Sequence, residues 1–150
     1  MKTTLTLALT LLLGSTGVAY AQRAHIGARA GYDFDSEDAL IGGQILLPIT
    51  RSVELYPSFD YYLRDAGTWL GFNGDLRFRL RTRTRSVVYV GAGLGVLSRS
   101  NGVDETDTGL NLFGGFDAHT GSVHPFVEGR VRVMDDSSFQ VLAGLNFTLY

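Results

Sequence analysis

Between residues 69 and 81 apolar and polar positions alternate without a break. Leu70, Phe72, Gly74, Leu76, Phe78 and Leu80 form one set, and Asn73, Asp75, Arg77, Arg79 and Arg81 fall between them. Period-two alternation over this length predicts a strand with two chemically opposite faces. The pattern recurs along the chain, giving expected strands at about 24–33, 39–49, 53–62, 68–81, 87–97, 107–118, 123–134 and 139–150. Turn-forming clusters separate them at 35–38, 64–67, 100–102 and 119–122. No stretch shows helical periodicity. Strands of this length with short connections predict an all-β, eight-stranded antiparallel up-and-down meander closed into a barrel.

Sorting the strands by parity yields an apolar face uninterrupted by charge. It runs through Ile26, Ala28, Ala30 and Tyr32, through Ile41, Ile45 and Leu47, and on to Val141, Ala143, Leu145, Phe147 and Leu149. The other face carries charge and polar groups, with glycines between them: Gly27, Gly31, Gly42, Gly71, Gly91, Gly93, Gly95, Gly109, Gly115 and Gly144. Volume decides which face points inward. Roughly forty apolar side chains would overfill an eight-stranded barrel, whose interior only just holds its inward residues. Glycines on a solvated outer wall would weaken the strands to no purpose, whereas inside they make room for arginines. The barrel is therefore expected to be inside-out, apolar toward lipid and polar toward its lumen. Aromatics near strand ends fit interfacial girdles, with Tyr32, Phe34, Tyr61, Tyr62, Trp69 and Phe139 toward one rim. Phe78, Tyr89, Phe116, Phe147 and Tyr150 lie toward the other. Pro57 and Pro125 are expected at bulges or rim positions.

Composition narrows the picture. A chain of 150 residues, 45% hydrophobic and 19% charged, holds one domain and is too apolar for disorder. With no cysteine, disulfides, thiolate metal sites and a lipid-anchored N-terminal cysteine are excluded. A net charge of −2 gives no support for nucleic-acid binding. Lys2 precedes an apolar run at 5–13, a Gly14–Gly17 break and Ala19-Tyr20-Ala21, which reads as a signal peptide at 1–21 cleaved after Ala21. Residues 22–150 are then the barrel domain.

Together the signal peptide, the alternating strands, Val90-Gly-Ala-Gly-Leu-Gly95, His124-Pro-Phe-Val-Glu-Gly-Arg130 and the terminal Phe147-Thr-Leu-Tyr150 carry a resemblance. The sequence resembles the small eight-stranded outer-membrane barrels of the OmpA-transmembrane, OmpX and opacity-protein type over nearly the whole mature chain. That resemblance implies an outer-membrane location and lipid and lipopolysaccharide as neighbours. It also implies passage by periplasmic chaperones and the barrel-assembly machinery, and a monomer. Phe147, Leu149 and Tyr150 would form the assembly signal, although the apolar set Leu145, Phe147, Leu149 is offset by one from Tyr150. Both termini would face the periplasm. The opposite, outer connections then hold Asp35, Glu37, Asp38, Asp65, Asp104, Glu105, Asp135 and Asp136, while the periplasmic turns hold Arg51, Arg83, Arg85 and His119.

The lumen face sets Arg29, Arg77, Arg79, Arg81, Arg130 and Arg132 against Glu54, Asp60, Asp75, Asp117 and Glu128. Hairpin register puts Glu54 near Arg77 or Arg79, Arg79 beside Tyr89, and Arg77 beside Gly91. Charges in so narrow a space are tolerable only when paired and hydrogen-bonded. They read as a salt-bridged filling of the lumen, which makes an envelope-stabilising barrel the leading function. A narrow porin-like path for ions or small solutes is the alternative. Adhesion, or cation and lipopolysaccharide binding at the acidic loops, is a further one. Lipid A deacylases and palmitoyltransferases use barrels of this size with His and Ser near the outer rim. His25, His119 and His124 instead sit at the other end, and Asp117 with His124 reads as a lumen contact, so no catalysis is expected. The acidic loops lack the glycine and terminal glutamate of an EF-hand, and no metal or cofactor is expected. Gly91–Gly95 lacks the following helix of a nucleotide fingerprint.

Overall fold

The computed structural model describes residues 23–82 and 84–149, the Arg81 side chain excepted. The expected signal peptide, the Arg81 side chain, Arg83 and Tyr150 lie outside the described residues. The strands are β1 His25–Asp33, β2 Asp38–Pro48, β3 Val53–Leu63, β4 Thr68–Arg81, β5 Ser86–Ser100, β6 Asp104–Ala118, β7 Val123–Val133 and β8 Ser138–Thr148. Each pairs antiparallel with its sequence neighbours, and β8 pairs with β1, closing an eight-stranded barrel. Closure leaves no edge strand, the condition for a sheet to cross a bilayer. The termini and the β2–β3, β4–β5 and β6–β7 turns share one rim, here the terminal rim; the other turns form the far rim.

The barrel is inside-out, as the volume argument requires. Phe72 is 50% and Leu94 63% exposed on the outer wall, while Asp75 and Glu128 are wholly buried in the lumen. An apolar belt on every strand is the surface of a transmembrane barrel.

Three local expectations are corrected. First, β5 and β6 run to Ser100 and from Asp104, so only 101–103 remain as a turn, with Gly102 at φ 81°. Asp104 and Glu105 stand on β6 opposite Ser100 and Arg99 and are not in a loop. The Arg99–Asp107 ion pair, 2.6 Å, ties this longer hairpin. Second, Pro57 makes no bulge. Gln44↔Ser58 and Leu47↔Leu55 keep one register, and only the rungs between them are missing, as befits a residue with no N–H to offer. Pro125 pairs with Leu145 but lies beyond the last β6–β7 rung, Asp117↔Phe126, at a rim as expected. Third, Tyr62 and Tyr89 are not girdle residues. Both are buried inside, and Trp69 packs inward against Tyr62. Parity outranks position along the strand: 62, 69 and 89 share the lumen phase, where a phenol O–H finds partners.

Candidate functional site: the lumen and its rims

Inward side chains of all eight strands meet inside the barrel. Midway, Arg130 donates to Asp75 Oδ2 at 2.7 Å and from Nε to Glu128 Oε1 at 3.1 Å, with its Nη2 3.0 Å from the same oxygen. Asp75 also accepts from Asn111 at 2.9 Å. The Tyr89 hydroxyl donates to Glu128 Oε2 at 3.1 Å, and the Tyr56 hydroxyl lies 3.3 Å from the same oxygen. Since β7 stands halfway round the barrel from β3, the Tyr56–Glu128 contact crosses the full diameter. So does Arg132 to the Tyr62 hydroxyl at 2.8 Å, nearer the far rim.

Around this axis the other expected charges pair. Arg29 donates to both oxygens of Asp60, at 2.8 and 2.6 Å, and to Ser58 at 2.9 Å. Arg77 lies 3.2 Å from Glu54, pairs closely with Asp117, and stacks 3.7 Å over the Tyr89 ring. Arg79 lies 3.5 Å from Glu54. Of the two arginines expected near Glu54, Arg77 is the one in register, and the expected Arg77↔Gly91 and Arg79↔Tyr89 are present. Arg132 takes neutral partners, Tyr62 and Asn73. Burial of these ions is tolerable because each charge has a partner placed by a rigid wall.

The glycines make room in the lumen as expected, but for aromatic and amide side chains more than for arginines. A Cβ on Gly91 would collide with the Phe113 ring, and one on Gly115 with the Tyr89 phenol. Phe113, Phe126, Leu46 and Leu142 are buried inside too, an apolar share of the lumen that sorting by polarity had missed. Their inward parity was the available signal.

At the far rim the indole of Trp69 lies between the guanidinium carbons of Arg64, 3.7 Å from the ring centre, and Arg99, 4.6 Å away. Arg64 in turn pairs with Asp38 at 3.0 Å. These arginines were not foreseen in the acidic rim. A cleft of about 160 Å³ beside Trp69 is lined by Asp33, Asp35, Arg99, Arg132 and Asp136. Asp33 accepts from the amides of Asp35 and Ser36 and from Gln140, and Asp35 from the amide of Phe139, so these two carboxylates brace the loops. Glu37, Asp65, Asp104, Glu105, Asp135 and Asp136 are exposed.

The terminal rim gathers His25, Asp117, His119 and His124. His119 Nδ1 lies 3.0 Å from Asp117 Oδ1, and its Nε2 lies 3.3 Å from Arg79. Burial pushes the His119 imidazole below its usual range; the upward pull of Asp117 is offset by His124 and Arg79. His124 and Asp117 do lie together, as the sequence suggested.

No protein-family model matches the chain, and no curated protein matches it. Among solved structures it is similar to the N-terminal β-barrel domain of Pseudomonas aeruginosa OprF, with 20% identity, a TM-score of 0.75, and 84% of this chain and 96% of that one covered. It is also similar to Neisserial surface protein A, with 15% identity, a TM-score of 0.65, and 84% and 96% covered. The outer-membrane enzyme PagL gives 10% identity, a TM-score of 0.59, and 83% and 99% covered.

Proposed function

Because the chain has the fold of the small eight-stranded outer-membrane barrels, we propose that it is an integral outer-membrane protein with a permanently filled lumen, acting in envelope integrity. The carrying observation is the pair of contacts across the diameter, Tyr56 to Glu128 and Tyr62 to Arg132. A water-filled path would have to break both, together with the Arg130–Asp75 ion pair between them. The reading is non-enzymatic. At the terminal rim Asp117 is held by Arg77 and His119 by Arg79, contacts that fix the carboxylate and imidazole and do not activate a hydroxyl. The outward Phe147 and Leu149 fit an assembly signal read by the barrel-assembly machinery, and the acidic far rim would face lipopolysaccharide.

The test is planar-bilayer recording of the purified, refolded barrel. Insertions that leave the baseline flat support a filled lumen. Steady conductance in most insertions would replace it with the narrow-pore reading. Fractionation checks the location: recovery from the periplasm without detergent would refute it.

A further inference from the structure

We propose that Asp117, His119 and His124 form a transition-metal site at the terminal mouth of the barrel, suited to Zn²⁺, with His25 adjacent as a fourth donor. All three histidines of the chain converge there. Asp117, His119 and His124 each bring a donor atom into a set whose members lie within 4.8 Å of one another. The rings of His119 and His124 are centred 4.2 Å apart, and those of His25 and His124 5.0 Å. Small side-chain rotations bring such a set to the spacing a tetrahedral ion needs. Two or three imidazoles with one carboxylate are the donor chemistry of zinc rather than of calcium or magnesium.

The surroundings already supply the outer contacts of such a site. His124 Nε2 sits 3.0 Å from the Gly121 carbonyl; with the proton on that nitrogen, the Nδ1 lone pair is free to ligate. Arg77 holds Oδ2 of Asp117, leaving Oδ1 turned toward His119. A backbone carbonyl and a charged side chain orienting the ligands in this way is the usual second layer of a metal site. His25 Nδ1 is buried and has no hydrogen-bond partner among the described residues. The sequence places all three histidines at one end of the barrel without showing that they meet. His119 and His124 flank one turn, while His25 opens β1 and is brought in by barrel closure.

Two guanidiniums oppose a cation: Arg77, already shared between Asp117 and Glu54, and Arg79. The Arg79 guanidinium lies 3.3 Å from His119 Nε2, but it is partly exposed and, among the described residues, its one ion pair is a 3.5 Å contact with Glu54. Binding an ion would require it to leave His119 for the bordering cleft of about 320 Å³ that also reaches Thr82 and Arg85. An ion bound here would clamp β1 to the β6–β7 turn across the mouth.

The test uses the tag-free, metal-stripped barrel in detergent, titrated with Zn²⁺ by calorimetry and with Co²⁺ by visible absorption. One saturable Zn²⁺ per barrel, displacing Co²⁺ from a low-symmetry spectrum, is expected, with Mg²⁺ ineffective at about a hundredfold excess. His119→Ala, at a partly exposed turn position, and His124→Gln should each weaken binding about 10-fold or more. Arg79→Gln should tighten it severalfold by removing an opposing charge, a gain that lost folding cannot mimic. Heat-shifted gel mobility verifies that each variant is folded. No saturable binding by the wild-type barrel would overturn the proposal, and so would equal binding by wild type, His119→Ala and His124→Gln.

Discussion

Arg130→Met tests whether the lumen is dry. Arg130 is wholly buried and makes charged contacts with Asp75 and Glu128 while lying over the Phe113 ring, 4.6 Å from its centre. Methionine keeps much of that packing and removes the charge. Asp75 then retains Asn111, and Glu128 retains Tyr89 and Tyr56, neutral donors that cannot balance two buried anions. Removing one partner of a buried ion set costs about 3–5 kcal/mol, because the remaining charge is uncompensated. The triple variant Arg130→Met, Asp75→Asn, Glu128→Gln should recover most of that loss, since no charge is then left alone. Urea unfolding in detergent reads both, following the emission of the single tryptophan, Trp69, with heat-shifted gel mobility as a second probe. A loss under about 1 kcal/mol for Arg130→Met would refute the reasoning, because charges that water can reach lose little when a partner goes.

Tyr56→Phe removes a hydroxyl that lies near Arg29, Gln44 and Glu128; about 1–3 kcal/mol of stability should go with it by the same urea assay. Gly115→Val drives a side chain into the Tyr89 phenol and the Val127 carbonyl, so the refolded barrel should lose its heat-shifted band, whereas Gly74→Ala, on the outer wall of β4 with open space around it, should keep it. Replacing both Arg64 and Arg99 by alanine uncovers Trp69. Its emission should move to longer wavelength and iodide quenching should rise, with stability falling by about 0.5–1 kcal/mol for each arginine.

Alternation made the wall of this barrel readable from the sequence. A one-residue slip would turn every side chain of a strand to the wrong face, so a strand such as β4 announces both its span and its orientation. Nearest-neighbour pairing was readable to within one rung for the same reason: a short turn limits the register, and the β3–β4 hairpin narrows the partner of Glu54 to Arg77 or Arg79, of which Arg77 is opposite. What crosses the lumen was not readable. Whether Arg29 reaches Asp60, or Arg132 settles on Tyr62 and Asn73 with no carboxylate, depends on the stagger accumulated around the closed sheet and on how far a flexible side chain extends. Tyr62 and Tyr89 turn inward despite lying toward strand ends, because a phenol in the lumen phase gains hydrogen-bond partners that the lipid face cannot provide. The histidine cluster shows the limit most clearly. His119 and His124 are joined by one turn, but no local rule brings His25 beside them. Only the β1–β8 seam does, and a seam is a property of the finished barrel, not of any segment of its chain.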